Sequence, residues 1–186
     1  MKKYLVGADE VGRGCLFGPV IAAAVILGSY SNSELKDSKK LSEKKRIMLS
    51  NDIKKNATKI CIGEASVKEI DSLNIKEASL LAMKRAILGL KVTNIEVIVD
   101  GIDIPKINYP CKAIIKADNK ISEVMAASII AKVHRDNLMV ALSKHYPDFS
   151  LEKNKGYPTK EHLNILKSQG PTEYHRNSFK PVLDAR

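Results

Sequence analysis

The stretch YLVGADEVGRGCLFGPVIAAAVIL, residues 4–27, contains two apolar runs separated by glycines, and it decides the fold. Residues 4–8 and 19–27 are rich in valine, isoleucine and alanine, which predicts two strands joined by a tight connection. Asp9 and Glu10 follow the first run directly, so their carboxyl groups must face opposite sides of the chain. A carboxylate at the end of a buried strand is costly unless something compensates it. The pair therefore marks either a strand end that reaches solvent or a functional site.

The rest of the chain alternates strand patterns with helix patterns. Ser42 and Thr159 are residue types that cap helix N-termini. The pattern predicts strands over residues 58–66, 95–99 and 112–116, and helices over residues 43–55, 75–90, 119–144 and the segment from Thr159 to Gly170. This alternation predicts a mixed α/β sheet covered by helices, and it leaves the strand order open.

The charge of the chain favours a polyanionic partner. Lysine and arginine total 31 against 21 acidic residues, which gives a formal net charge of +10. Basic residues crowd residues 36–46 and recur over residues 153–180. A basic surface attracts nucleic acids, although a merely lysine-rich protein would share this composition.

The cysteines and the apolar runs argue against other classes of protein. Cys15, Cys61 and Cys111 form no C-x-x-C pair, so we predict reduced thiols in or near the core. The longest apolar run, residues 19–27, is too short to span a bilayer. The N-terminus also lacks the apolar centre of a secretory signal. We therefore expect a cytoplasmic protein without a membrane partner.

Two further acidic residues stand at places where structural elements begin or end. Asp100 ends the apolar strand 95–99, and Asp118 precedes the long predicted helix. Taken alone, Asp100 could be the start of a turn and Asp118 a helix cap. Together with Asp9 and Glu10, they would repel each other at the strand ends of one sheet unless cations lay between them. Oxygen ligands suit Mg²⁺ or Mn²⁺, and two such ions ~3.5–4 Å apart can promote an in-line phosphoryl displacement.

Several ordered motifs resemble those of the ribonuclease HII family. The segment GADEVGRG, residues 7–14, with Gly18-Pro19-Val20 is similar to the family's signature. Further matches follow in order and cover almost the whole chain: DSKKL at 37–41, VDG at 99–101, Asp118 with AASIIAKV at 126–133 and Arg135-Asp136, KGY at 155–157 with Thr159, and His175-Arg176 with Ser178-Phe179.

The resemblance implies an α/β, ribonuclease H-like mixed sheet flanked by helices, with a helical C-terminal region. It implies a single catalytic domain over residues 1–186, of which roughly 146–186 form a substrate-binding extension. It also implies that the catalytic and metal-binding carboxylates, which would hold two Mn²⁺ or Mg²⁺ ions, are Asp9, Glu10, Asp100 and Asp118.

The resemblance also implies how substrate is bound. The backbone of Gly12, Arg13 and Gly14 would contact the ribose 2′-hydroxyl, and Tyr157 would stack beside the ribonucleotide-to-DNA junction. The family's D-S-K element implies further substrate contacts by Lys39 and Lys40. The chain departs from the family pattern at three positions near these residues: Ala117, Asn154 and Pro158.

The activity implied is that of an endoribonuclease. We expect it to hydrolyse the RNA strand of RNA–DNA hybrids and to incise duplex DNA 5′ of embedded ribonucleotides, leaving 5′-phosphate and 3′-hydroxyl ends. We expect a monomer. Ribonuclease HIII lacks the G-R-G segment and carries an extra N-terminal domain, so Gly12-Arg13-Gly14 and the early first strand favour ribonuclease HII. A non-catalytic duplex-binding protein would explain the charge but not the acids.

The remaining polar and aromatic residues of interest receive structural roles. We predict that Asp136 is a helix residue rather than a fifth ligand, and that His175 is structural or contacts phosphate. We predict isolated surface roles for His134, His145 and His162, and core positions for Phe17, Phe149 and Phe179.

Overall fold

The structure is a computed structural model that describes residues 3–35 and 41–186. Lys39 and Lys40 lie outside the described residues, so their predicted contact with substrate stays a prediction.

Five strands form a single mixed sheet. Antiparallel pairing joins β1 to β2 and β2 to β3, whereas β1–β4 and β4–β5 are parallel. The spatial order is β3-β2-β1-β4-β5, which puts β1 at the centre. The strands are β1 (Tyr4–Val11), β2 (Val20–Ile26), β3 (Lys59–Ala65), β4 (Ile95–Asp100) and β5 (Cys111–Ile114). The prediction of a mixed sheet is confirmed, and β1 extends past the predicted end to include the two acidic residues.

The predicted helices are confirmed to within a few residues. The side chains of Ser42 and Thr159 cap helices as predicted, accepting hydrogen bonds from the backbone N–H groups of Lys45 and His162. The helices are α1 (Glu43–Asn56), α2 (Val67–Leu73), α3 (Ile75–Gly89), α4 (Ser122–Ser143), α5 (Leu151–Asn154), α6 (Lys160–Gln169) and α7 (Lys180–Leu183), with 3₁₀ turns at Ala117–Asn119 and Pro147–Phe149. The sequence analysis missed α2, α5 and α7, which have seven residues or fewer and therefore show little periodicity.

The sheet is covered on both faces, because every residue of β2 is buried. One face packs against α3 through a cluster that includes Val6, Ala22, Ala82 and Val97. The other face packs against α4 through a cluster that includes Ile21, Ala23, Val25 and Ile130. The alanines of β2 let both helices approach the sheet closely.

Gly7 fixes the position of α4 on the sheet. A Cβ atom at this position would collide with the backbone of Glu123 and Val124, in the first turn of α4. The start of α4 therefore lies directly on β1, and the segment that carries Asp118 is held beside the central strand.

Replacing Gly7 by alanine is expected to lower the free energy of unfolding by roughly 2–4 kcal/mol, because backbone must move aside for the new methyl group. Urea unfolding followed by circular dichroism measures this change. Gly14→Ala is the matched control, because a Cβ atom there meets nothing within 4 Å. Equal stability of the two variants would contradict the close contact.

The C-terminal region packs around a third cluster that includes Leu16, Phe17, Met139, Phe149 and Leu166. Phe17 and Phe149 are buried as predicted, whereas Phe179 is only partly buried and packs against two clusters. In the parts of the chain described, no helix is both long and apolar enough to cross a membrane.

Candidate active site

The carboxylates of β1 and β4 lie at one end of the sheet. The two strands are parallel, and Ala8 pairs with Val99. The next residues, Asp9 and Asp100, are therefore neighbours across the two strands. Glu10 follows in β1 and is partly buried. Neighbouring parallel strands thus bring together side chains that are 91 positions apart in the chain, from residue 9 to residue 100.

Asp118 is attached to the same end of the sheet through Asp100. The backbone N–H of Ala117 donates a hydrogen bond of 2.7 Å to Oδ1 of Asp100. This bond fixes the 3₁₀ turn Ala117–Asn119 to the end of β4, and Asp118 is buried within that turn. Ile121 occupies the N-cap position of α4, so Asp118 is not the cap of the long helix.

The acidic side chains oppose each other's ionisation. Burial, together with the charges of Glu10 and Asp100, raises the pKa of Asp9 to about 8, although hydrogen bonds from Ser128 and the Glu10 backbone act the other way. Burial also raises the pKa of Glu10, against the influence of Arg13, whose Nη1 lies 3.1 Å from Oε1 of Glu10. The metal-free protein therefore holds Asp9 and Glu10 where their ionised forms are disfavoured.

Among the residues that the structure describes, no basic side chain neutralises Asp9 or Asp100 at the centre of the site. Within residues 3–35 and 41–186, no lysine or arginine forms a salt bridge with Asp9 or Asp100. In the same part of the chain, no three acidic, histidine or cysteine side chains are gathered closely enough to hold a metal ion as they stand. The donor atoms that Asp9, Glu10, Asp100 and Asp118 offer are all carboxylate oxygens, which are the ligands that Mg²⁺ and Mn²⁺ prefer.

The G-R-G loop rests on a buried arginine. Gly12 has φ +89°, and a Cβ atom there would collide with the guanidinium group of Arg135. Gly14 faces open space, and the side chain of Arg13 is about half exposed. Gly12 is therefore buried against Arg135, whereas Arg13 and Gly14 are exposed beside Glu10.

Two fully buried arginines join this loop to the Tyr157 segment. Arg135 donates to the carbonyls of Lys155 at 2.6 Å and Phe17 at 2.8 Å. Arg176 donates to the carbonyls of Arg13 at 2.9 Å and Gly18 at 2.9 Å. In the sequence these arginines belong only to matched motifs. For Arg135, the signal that could have revealed its role is an arginine on the apolar face of the long helix.

Tyr157 shares a cleft with Glu10. The cleft has a volume of about 320 Å³, and Arg46, Ser128 and Lys132 also line it. The ring of Tyr157 is 38% exposed, and Nζ of Lys132 lies 5.7 Å from its centroid. Tyr157 and Glu10 thus border one cleft that also contains two basic side chains.

A second cleft of about 320 Å³ adjoins the acidic residues on another side. Glu10, Arg13, Lys76, Asp100 and Lys116 are among the residues that line it. Glu10 therefore lies between two clefts, each with cationic side chains in its wall, and an extended polyanion that occupies both would cross the carboxylates.

Two of the predictions for other polar residues are corrected or refined by the structure. His162 is fully buried rather than on the surface, and its Nε2 lies 3.1 Å from Nε2 of His175. Its position on α6, one turn before the buried Leu166, was the signal that could have shown this. Asp136 is a helix residue as predicted, but it is buried and paired with Lys132 at 2.6 Å.

A mixed sheet with carboxylates at the ends of β1 and β4, covered by helices on both faces, defines a ribonuclease H-like protein. The family model for Ribonuclease HII matches residues 6–182. Ribonuclease HII of Pelagibacter ubique (strain HTCC1062) is 52% identical over 184 residues, covering 98% of each chain. Ribonuclease HII of Hydrogenovibrio crunogenus is 51% identical, covering 97% of this chain and 87% of that protein. The chain belongs to the ribonuclease HII family and is a ribonuclease H, an RNA-cleaving enzyme.

Solved structures agree with this assignment. The ribonuclease H2 of Pyrococcus horikoshii OT3 superposes with a TM-score of 0.82 at 25% identity, covering 97% of this chain and 96% of that one. RNase HII of Archaeoglobus fulgidus, solved in a complex with PCNA, gives 0.74 at 31% identity, covering 89% and 87%. Bst-RNase HIII, solved with Mn²⁺, gives 0.75 at 18% identity, covering 98% and 69%, and shows the shared fold alone.

Proposed function

We propose that this ribonuclease H incises duplex DNA on the 5′ side of embedded ribonucleotides and cleaves the RNA strand of RNA–DNA hybrids, leaving 5′-phosphate and 3′-hydroxyl ends. One observation carries the proposal: the pairing of β1 with β4, with the hydrogen bond from Ala117 to Asp100, places Asp9, Asp100 and the Asp118 turn at one end of the sheet. In metal-dependent phosphodiester hydrolysis, such a cluster holds divalent cations against the scissile phosphate.

The residues at this end of the sheet fit divalent cations in three respects. Their donors are oxygens, Asp9 and Asp118 are buried, and the charges of Glu10 and Asp100 help to raise the pKa of Asp9. In the described residues, no lysine or arginine forms a salt bridge with Asp9 or Asp100. We assign Asp9, Glu10 and Asp100 as the principal ligands of two Mn²⁺ or Mg²⁺ ions, with Asp118 completing the site. When bound, the ions supply an activated water and stabilise the charge that develops on the phosphate.

The side chains around the carboxylates orient the substrate. The backbone of Gly12, Arg13 and Gly14 contacts the 2′-hydroxyl, the group that distinguishes RNA from DNA. Arg13 is held at the rim by Glu10, 3.1 Å away, so its guanidinium group remains beside the scissile strand. Tyr157 stacks on the nucleotide at the junction, and Lys132, 5.7 Å from its ring, faces the same cleft.

We assign residues 146–186 the role of a substrate-binding extension within a single catalytic domain. Two observations support this role: the region contains Tyr157, and hydrogen bonds attach it to the loop between β1 and β2. One of these is the 2.9 Å bond from the Arg176 backbone N–H to the Leu16 carbonyl. This attachment supports the proposed role of Tyr157 in the cleft that it shares with Glu10.

A labelled DNA duplex that carries one ribonucleotide tests the proposed reaction. With Mn²⁺ or Mg²⁺, we expect a single cut 5′ of the ribonucleotide, with product ends mapped by mass spectrometry. An all-DNA duplex of the same sequence and a reaction with chelator should remain uncut. A cut on the 3′ side, or cutting that survives the chelator, would contradict the proposal.

Replacing Tyr157 by alanine is expected to weaken single-ribonucleotide cleavage, measured as kcat/KM, by roughly 5- to 100-fold, because stacking on a base contributes about 1–3 kcal/mol. Tyr157→Phe keeps the ring and should stay close to the parent enzyme. If alanine and phenylalanine behave alike, the ring does not stack on substrate.

A further inference from the structure

A buried pair of histidines joins α6 to the tail behind the Tyr157 segment. His162 and His175 are both fully buried, with their Nε2 atoms 3.1 Å apart. At one end of the pair, Nδ1 of His162 lies 3.0 Å from the carbonyl oxygen of Tyr157. At the other end, the backbone N–H of Thr172 points to Nδ1 of His175 at 3.0 Å. The two rings therefore link two backbone groups through three consecutive hydrogen bonds.

The two backbone groups fix the direction of every bond in this series. The Thr172 N–H can only donate, so Nδ1 of His175 accepts and the proton of that neutral ring is on Nε2. This proton is donated to Nε2 of His162, whose own proton must then be on Nδ1. The carbonyl of Tyr157 can only accept, and it requires the same tautomer of His162. The Thr172 N–H at one end and the Tyr157 carbonyl at the other therefore require the same pair of tautomers.

We propose that His162 and His175 are positioning residues that hold the Tyr157 backbone through a directed relay of neutral rings, Nε2–H on His175 and Nδ1–H on His162. The influence of this relay on catalysis rests on the proposed contact between Tyr157 and substrate. The two tautomers do not rest on that contact, because the backbone groups of Thr172 and Tyr157 alone determine them.

The surroundings of the pair keep both rings uncharged. The rings of Phe17 and Phe149 pack against the two imidazoles, with centroids 4.8 to 6.4 Å apart. Burial lowers the pKa of His162, and burial together with the neighbouring His162 lowers the pKa of His175 to about 4. Each acceptor nitrogen also already faces an N–H group, so an added proton would place two donors against each other.

The relay is one of several hydrogen bonds that hold a short turn. The Arg135 side chain donates to the Lys155 carbonyl at 2.6 Å, and the Leu16 backbone N–H donates to the Gly156 carbonyl at 2.9 Å. The carbonyl of Tyr157 also accepts from the Thr159 backbone at 2.8 Å, while the Tyr157 N–H donates to the Asn154 carbonyl at 2.9 Å. Gly156 adopts φ +81° with no room for a side chain against the Phe17 carbonyl. The bond from His162 connects this turn to α6 and, through His175, to the tail, so that the aromatic side chain is carried on a fixed backbone.

Histidine nitrogen spectroscopy on the intact protein tests the proposed tautomers directly. Long-range ¹H–¹⁵N spectra at pH 7, assigned with single histidine replacements, should show His162 as the Nδ1–H tautomer and His175 as the Nε2–H tautomer. The exposed His145 provides the solvent-averaged reference. Identical tautomers at the two positions, or a charged ring at either, would overturn the proposal without reference to activity.

Kinetics with three variants test the positioning role. His162→Leu removes the bond to Tyr157 and should raise KM for the single-ribonucleotide duplex by about 3- to 10-fold with kcat little changed, as expected for one lost hydrogen bond. His162→Asn places an amide N–H near the position of Nδ1 and should recover most of the loss. Phe149→Leu loosens the same cluster but leaves both bonded histidines, and its KM should stay at the parent value.

The outcomes separate this proposal from the proposed role of Tyr157. An unchanged KM in His162→Leu, or an equal rise in Phe149→Leu, overturns the positioning role. If Tyr157→Ala leaves the KM unchanged, the substrate contact fails, whereas the tautomer spectra still decide whether the relay exists. Because the spectra are recorded on the parent protein, poor folding of a variant does not remove the test.

Discussion

Replacing Asp100 by asparagine is expected to lower kcat for cleavage by at least about 10³-fold, because it removes a charge that the reaction needs in its transition state. The amide retains an oxygen in the position of Oδ1, which accepts the 2.7 Å hydrogen bond from the Ala117 N–H. The fold and the Asp118 turn should therefore survive the change. Single-turnover cleavage of the one-ribonucleotide duplex, with circular dichroism as a check on folding, measures the effect.

Duplex affinity provides the control for this prediction. The lysines and arginines that line the two clefts remain in the variant, so its binding to the duplex should fall little and should keep its salt dependence. Asp103→Asn, which removes a half-exposed carboxylate in the wall of the second cleft, paired with Lys76 at 2.8 Å, should cleave at close to the parent rate. Full activity of Asp100→Asn would exclude Asp100 from the reaction.

Replacing Asp9 by asparagine is expected to stabilise the metal-free protein at pH 8 by roughly 2–3 kcal/mol while abolishing cleavage. The folded pKa of Asp9 is about 8 against a value of 3.8 for the free side chain. Below pH 3.8 the carboxyl group is protonated in both states and contributes no penalty. As the pH rises from 3.8 to 8, the unfolded chain releases this proton first, so the parent protein loses stability that the variant keeps.

Urea unfolding at pH 4 and pH 8 in the presence of chelator measures this difference, which should be small at the lower pH and largest at the higher one. Millimolar Mg²⁺ should stabilise the parent more than the Asp9→Asn variant, because a bound cation stabilises the ionised carboxylate that only the parent has. If the free energy of unfolding depends on pH equally in the two proteins, ionisation of Asp9 does not destabilise the fold.

The strands and the acidic residues were predictable because each has a local signal. Alternating or continuous apolar runs locate β1 and β4, and Asp9 and Asp100 follow from the ends of those runs. The parallel pairing of β1 with β4 was not predictable, since it depends on contacts between residues far apart in the chain. The site could be predicted from the sequence only because the family motifs indicate which distant residues lie together in the fold.

Other features lacked a local signal. The role of Arg135 depends on the carbonyls of Phe17 and Lys155, which come from two different loops. His162 was assigned to the surface because a lone histidine on a helix has no visible partner in sequence. Its partner, His175, lies beyond the end of that helix and meets it only in the folded tail. The seven residues of α2 are too few for a clear helical period, although Ser66 and Glu69 form a capping box at its start.

The most direct test of the central claim is to locate bound manganese by anomalous diffraction from crystals grown with Mn²⁺ and a duplex that carries one ribonucleotide. Inactive Asp118→Asn protein would preserve the substrate during crystal growth. We expect manganese bonded to carboxylate oxygens of Asp9, Glu10 and Asp100 and to the phosphate 5′ of the ribonucleotide. Manganese elsewhere, with Asp9 or Asp100 paired to a lysine or arginine side chain instead, would contradict the proposed metal site.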